Sequence, residues 1–171
     1  MGEDHVENFL SKWIWKVDIL PRIQTFTWQC LYNSIGVKDC LVRRGILEDA
    51  TCPICLRDPE TILLALCDCR KIKPIWTQLG VKWAYRNLWS DNVQAWLESN
   101  GSMMDYQDVR IPPWRIAFLF AIWSIWKSRN QVVFNRKTQN PRLATEITSR
   151  AMELTFYAFS IIKTNRMLGH M

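Results

Sequence analysis

Four of the six cysteines fall within eighteen residues, from Cys52 to Cys69 in the run CPICLRDPETILLALCDC, and this cluster constrains the fold more than any other feature. Cys52 and Cys55, separated by Pro53 and Ile54, form a CxxC turn short enough for both thiolates to converge on one ion. A tetrahedral zinc ion then needs two more donors. Downstream only Cys67 and Cys69 offer sulfur, whereas the two histidines, His5 and His170, lie at the chain ends. A site of two cysteines and two histidines is therefore not expected.

With 171 residues, 49% of them apolar, the chain can build a real core as one domain or two small ones. Ten tryptophans supply large apolar faces, each with one N–H donor, and are expected mainly as supports between helices rather than as base-stacking platforms. The N-terminal stretch GEDHVENFLSK is polar and acidic, unlike a secretory signal. The expectation is an intracellular protein, nuclear or cytoplasmic, with reduced thiols. Two apolar runs, Ile116 to Trp126 and Leu154 to Ile162, fall short of the roughly twenty residues a membrane crossing needs. No membrane partner is expected, and both runs read as buried helices of a hairpin.

Along the chain, Pro21 to Ser34 sets Ile23, Phe26, Cys30 and Leu31 at helical spacing, with Pro21 in the first turn and Gly36 beyond the end. A short helix over Lys38 to Arg44 closes at Gly45 and exposes Arg43 and Arg44. After a loop and the cysteine turn, Glu60 to Leu66 reads as a short helix with the Glu60 carboxylate at its N-terminus. Arg70 to Leu79 resumes a helix that Gly80 stops, and Trp83 to Trp96 is moderately helical. The Gly, Asp and Pro content of SNGSMMDYQDVRIPP marks a linker over 99–113. Beyond it, a helix from Trp114 to about Asn130 is apolar on nearly every side, and Arg142 to Lys163 forms the last helix. The fold class is mainly α: a small helical domain over 9–98 with a cysteine-rich, zinc-knuckle-like loop, a linker over 99–113, and a helical hairpin over 114–164. Cys30 and Cys40 read as small apolar residues on helices.

Charge is uneven. Residues 1–109 hold 12 Lys/Arg and 14 Asp/Glu, whereas residues 110–171 hold 10 Lys/Arg against Glu146 and Glu153 alone. A basic C-terminal third points to an acidic partner, RNA or DNA, or equally to a solvated face beside a missing domain.

The ordered run WIWKVDILPRIQTFTWQCLYNSIGVKDCLVRRGI, then CPIC, then ETILLALCDC followed by IKPIW, resembles the zinc-binding domain of plant LINE-type (non-LTR) retroelement reverse transcriptases. The stretch WRIAFLFAIWSIWKSRNQVVFN resembles the helical connector that leads into a ribonuclease H domain in such proteins. The resemblance spans roughly residues 10 to 160 and implies polymerase and ribonuclease H domains of a parent polyprotein as partners. It also implies a ligand pattern of CxxC, a histidine nine residues on, and a cysteine five after that. Cys52, Cys55 and Cys69 fit this pattern, while the histidine position holds Leu64, which cannot bind metal. Position 37, usually a capping Thr in the family, is Val37, so that cap is lost. Both changes look like drift in a fragment or degenerate copy.

Cys67 is the candidate substitute. On a helix over 60–67, positions 64 and 67 share a face one turn apart, so a thiolate there starts from the side of the missing histidine. The alternatives are a four-thiolate site of Cys52, Cys55, Cys67 and Cys69, or an empty or weak three-ligand site. Bound Zn2+ would be structural, since a closed thiolate site leaves no position for a reacting water.

Catalytic carboxylate clusters are missing: neither a YxDD-like polymerase motif nor a DxG strand start after Lys163 is present, nor GxxxxGK[ST], HExxH or GxSxG. No enzymatic activity is expected, and the ribonuclease H domain itself is expected to be absent. Two functions remain. One is a nucleic-acid-binding accessory module whose Lys127, Arg129, Arg136, Lys137 and Arg142, joined by Arg43 and Arg44, neutralise phosphates. The other is a protein-interaction or connector module without metal or independent activity.

Overall fold

The computed structural model describes residues 11–83, 89–102 and 113–154, and among them it contains helices, one isolated antiparallel bridge and no strand. In chain order the elements are α1 (Lys12–Lys16), α2 (Pro21–Leu31), α3 (Lys38–Arg43), a π-helical turn (Leu64–Asp68), α4 (Lys73–Trp83), α5 (Val93–Gly101), α6 (Trp114–Asn135) and α7 over 143–154. The mainly α expectation holds. Expected elements at 84–88, 103–112 and 155–163 lie outside the described residues.

Local chemistry explains most of the boundaries. Pro21 opens α2, where its missing N–H is no loss, and Ile23, Phe26, Thr27, Cys30 and Leu31 form the buried stripe. The Gln24 amide donates to the Ile14 and Val17 carbonyls and ties α1 against α2. Asn92 caps α5 by accepting from the Ala95 N–H at 3.0 Å. α4 begins at Lys73, later than the sequence suggests, and runs through Gly80 rather than stopping there. Gly80 is buried, so packing of the surrounding helix outweighs the ~1 kcal/mol that glycine costs inside a helix.

α6 is the central element. Eleven of its residues are buried, from Trp114 to Arg129, and the π turn, α2 and α5 all pack on it. Trp76 from α4, Trp96 from α5 and Phe118 from α6 meet at ring-centroid separations of 5.0–5.7 Å. Two of the buried indoles donate to defined acceptors, Trp76 to the Leu66 carbonyl (2.7 Å) and Trp114 to the Asn100 side chain (3.0 Å). One apolar cluster runs from Ile14 to Ala151 and includes the helices on both sides of residues 103–112. No helix among the described residues is long and apolar enough to cross a membrane.

Candidate metal centre

Residues 50–60 fold back on themselves as a knuckle. Thr51 and Pro59 form the bridge, the Cys52 N–H donates to the Asp58 carbonyl (2.8 Å), and the Glu60 N–H donates to the Ala50 carbonyl (2.7 Å). At the tip, the Leu56 N–H donates to the Cys52 carbonyl (2.9 Å), which requires Leu56 to adopt φ 56°. That left-handed conformation disfavours a residue with a Cβ, and Leu56 repays none of the cost through packing, being 74% exposed.

The third sulfur arrives from the π turn. Its closing bond runs from the Cys69 N–H to the Leu64 carbonyl (3.0 Å), five residues back, and the Cys69 carbonyl then accepts the Ile72 and Lys73 N–H groups that start α4. The wide turn frees backbone carbonyls inside the protein, and the Trp76 indole satisfies that of Leu66. As a result the sulfurs of Cys52, Cys55 and Cys69 all lie within 4.8 Å of one another, and all three residues are buried.

This donor set fits zinc. Three sulfurs about 2.3 Å from a tetrahedral ion stand roughly 3.8 Å apart, so closure needs less than ~1 Å of movement. The surrounding backbone already favours thiolates: Cys52 sulfur accepts the N–H groups of Cys55 and Ile54, and Cys69 sulfur accepts that of Lys71. Without an ion the sulfurs share protons. The Cys69 thiol donates to Cys52 and holds its pKa down to about 6, helped by the backbone donors against the opposing effect of burial. The same bond, with burial, pushes the Cys69 thiol up. The Cys52 proton thus leaves easily and the Cys69 proton with difficulty, and a divalent cation would favour the thiolate at both. The Arg70 guanidinium donates to the Cys55 carbonyl at 3.4 Å, tying the CxxC turn to the segment that supplies Cys69.

Cys67 stands outside the converging group. It is buried, and burial raises its thiol pKa, with the Asp68 carboxylate adding to the effect. The expected helix over 60–66 is instead a π turn from Leu64, and the difference decides the geometry. Three residues cover about five sixths of an α turn but only about two thirds of a π turn, so residue 67 swings away from residue 64. Five residues slightly exceed one π turn, which brings positions 64 and 69 together instead. Cys30 and Cys40 are buried on helices as expected.

Glu60 does not serve as the N-terminal carboxylate of its own helix, the role the sequence suggests. It is fully buried, and both its oxygens are held by Arg129 of α6, Oε1 by Nε (2.8 Å) and Oε2 by Nη2 (2.7 Å). Oε2 also accepts the Lys38 N–H (2.8 Å), and the Glu60 carbonyl accepts the Asp39 N–H (3.1 Å). Glu60 therefore caps α3 where Val37 provides no side-chain cap. The Arg129 guanidinium stacks 4.9 Å from the Trp126 ring.

This corrects the expected phosphate track. Arg129 is 4% exposed and committed to Glu60, so it offers nothing to a surface ligand. Lys127, Arg136, Lys137, Arg142, Arg43 and Arg44 are all exposed, although Arg43 pairs with Asp39 at 3.0 Å. Two cations absent from the expected track, Arg22 and Arg150, lie close enough to Lys127 that their charges, after burial, lower its pKa. They sit on α2 and α7, far from Lys127 in sequence, and only the packing of those helices on α6 brings them near.

Residues 1–76 match the family described as zinc-binding in reverse transcriptase. A protein of Arabidopsis thaliana, provisionally named a ribonuclease H protein, is 27% identical over 127 residues, covering 74% of this chain. The chain spans about a fifth of that relative's length, 20%. No solved structure gives a significant match.

Proposed function

We propose, from the premise that residues 1–76 are a zinc-binding domain of the reverse-transcriptase type, that this chain is a non-catalytic accessory module of a retroelement reverse transcriptase. Cys52, Cys55 and Cys69 hold a structural zinc ion, and the basic surface associates with nucleic acid. The carrying observation is the convergence of three buried sulfurs within 4.8 Å at the end of a backbone knuckle. When bound, zinc supplies folding free energy to a loop that has little apolar core of its own. The protein's residues do the rest: the knuckle presents two sulfurs, the π turn presents the third, and backbone N–H groups stabilise their negative charge. Polymerase and ribonuclease H domains of a longer polyprotein are the partners this reading implies, and the named relative is consistent with it.

A second reading, a connector without metal, draws on the fact that three sulfurs rather than four converge and that Leu64 stands where the fourth donor is expected. Metal analysis of the purified chain separates the two. The first reading predicts one zinc per chain, a thermal midpoint that falls on chelation, and loss of both properties in Cys52→Ser. Zinc-free protein whose midpoint is unmoved by added zinc favours the connector.

A further inference from the structure

α7 runs back along α6, and the two helices enclose a groove of about 310 Å3. Its α6 wall carries Lys127 and Ser128, the connecting loop contributes Lys137 and Thr138, and α7 contributes Arg150. Glu146 is the one carboxylate among the described lining residues. The two ion pairs among the described residues use Arg43 and Arg129, so Lys127, Lys137 and Arg150 face the groove without a carboxylate partner. Clustering like charges around a concave surface raises the local potential, and an anion relieves it.

We propose that this groove is the nucleic-acid site of the chain and that it binds the phosphodiester backbone without reading base sequence. The assignment deepens the accessory-module reading and rests on it. Three features select a nucleic-acid backbone. The cations do not stop at the groove: exposed Arg136 and Arg142 flank it along the loop, and Arg22 of α2 lies near enough to Lys127 for its charge to be felt there. That continuity suits a regularly charged polymer. No aromatic ring is among the described lining residues, so base stacking has no platform there. The two lining amides able to read a base edge are also committed, since the Gln131 oxygen accepts from Asn135 (2.8 Å) and the Asn140 oxygen from the Arg142 N–H (2.9 Å). Bidentate recognition of adenine needs a donor and an acceptor of one amide aimed together at the base edge, and these local bonds orient both amides toward their own backbone or helix neighbour instead. The groove keeps its ammonium, guanidinium and hydroxyl donors for phosphate oxygens.

The test measures binding of the full chain, zinc-loaded, to labelled single-stranded RNA and DNA of two unrelated sequences across a salt series. The expected wild-type affinity falls about twentyfold between 50 and 200 mM salt if three phosphates are neutralised, equally for both sequences. Lys137→Gln and Arg150→Gln each reduce the magnitude of the salt slope by about 0.7, while zinc content and thermal midpoint stay at the wild-type values. Wild-type binding with slopes unaffected by both groove substitutions overturns the groove and leaves the accessory-module reading standing. Absence of wild-type binding to either nucleic acid at the lowest salt overturns both. A polyglutamate competitor that displaces the oligonucleotide at equal charge concentration assigns the groove to acidic protein and overturns the nucleic-acid proposal.

Discussion

Two buried polar sites flank the same knuckle, and they differ in completeness. At Glu60, both carboxylate oxygens are matched by the Arg129 guanidinium, the remaining lone-pair capacity goes to the Lys38 N–H, and the charge pair closes within the chain. At Cys52, Cys55 and Cys69, three sulfurs share protons and backbone donors but provide one donor fewer than a tetrahedral ion takes. The first site needs nothing from outside. The second has three sulfurs already gathered for an ion, and no fourth donor joins them among the described residues. The complete site also links regions far apart in sequence: it joins the knuckle, within the matched residues 1–76, to the central helix beyond them.

The sharpest way to break this comparison is to make the complete site incomplete. Arg129→Leu strands a carboxylate that is fully buried, and the expected loss is about 3–5 kcal/mol of stability, read from the urea midpoint. The double substitution Glu60→Leu with Arg129→Leu recovers most of it, because no buried charge remains. About 1 kcal/mol stays lost, since α3 then has no cap. A double variant as unstable as the single one would show that Glu60 does more than balance Arg129.

A smaller effect tests the knuckle's backbone. Leu56→Gly relieves a left-handed conformation at a 74% exposed side chain, so it is expected to raise stability by up to about 1 kcal/mol. Part of this gain is offset by the greater freedom of glycine in the unfolded chain. A decrease in the thermal midpoint would mean that the Leu56 side chain makes a contact worth more than the strain.

The helices and the CxxC turn were legible in the sequence because they are written locally. Pro21 and the Ile23, Phe26, Cys30, Leu31 spacing define α2, and the uninterrupted apolar run after Trp114 marks α6 as central. The three converging sulfurs were legible in part, because the CxxC spacing pairs Cys52 with Cys55 and the family resemblance adds Cys69. What was not legible is non-local or depends on winding. Glu60 looks like an ordinary first-turn carboxylate until Arg129, 69 residues away, is brought against it. Arg129 looks like its basic neighbours Lys127 and Arg136, yet its place on α6 turns it inward. Cys67 shares a face with position 64 on an α-helix and loses it on a π turn, and that local change of winding has no signature in apolar periodicity. The groove formed by α6 and α7 likewise gathers cations that the sequence spreads from Lys127 to Arg150, with Arg22 of α2 near Lys127.

The central claim is that three thiolates, and not Cys67, hold the ion. Cobalt(II) substitution tests it most directly, because the intensity of sulfur-to-cobalt charge transfer grows with the number of coordinated thiolates. Cobalt titration of the wild-type chain should give one ion per chain and an intensity for three thiolates. Cys67→Ser should leave that spectrum unchanged, while Cys69→Ser lowers it by a third or abolishes binding. A four-thiolate intensity that drops on Cys67→Ser, or no cobalt uptake at all, would contradict the account.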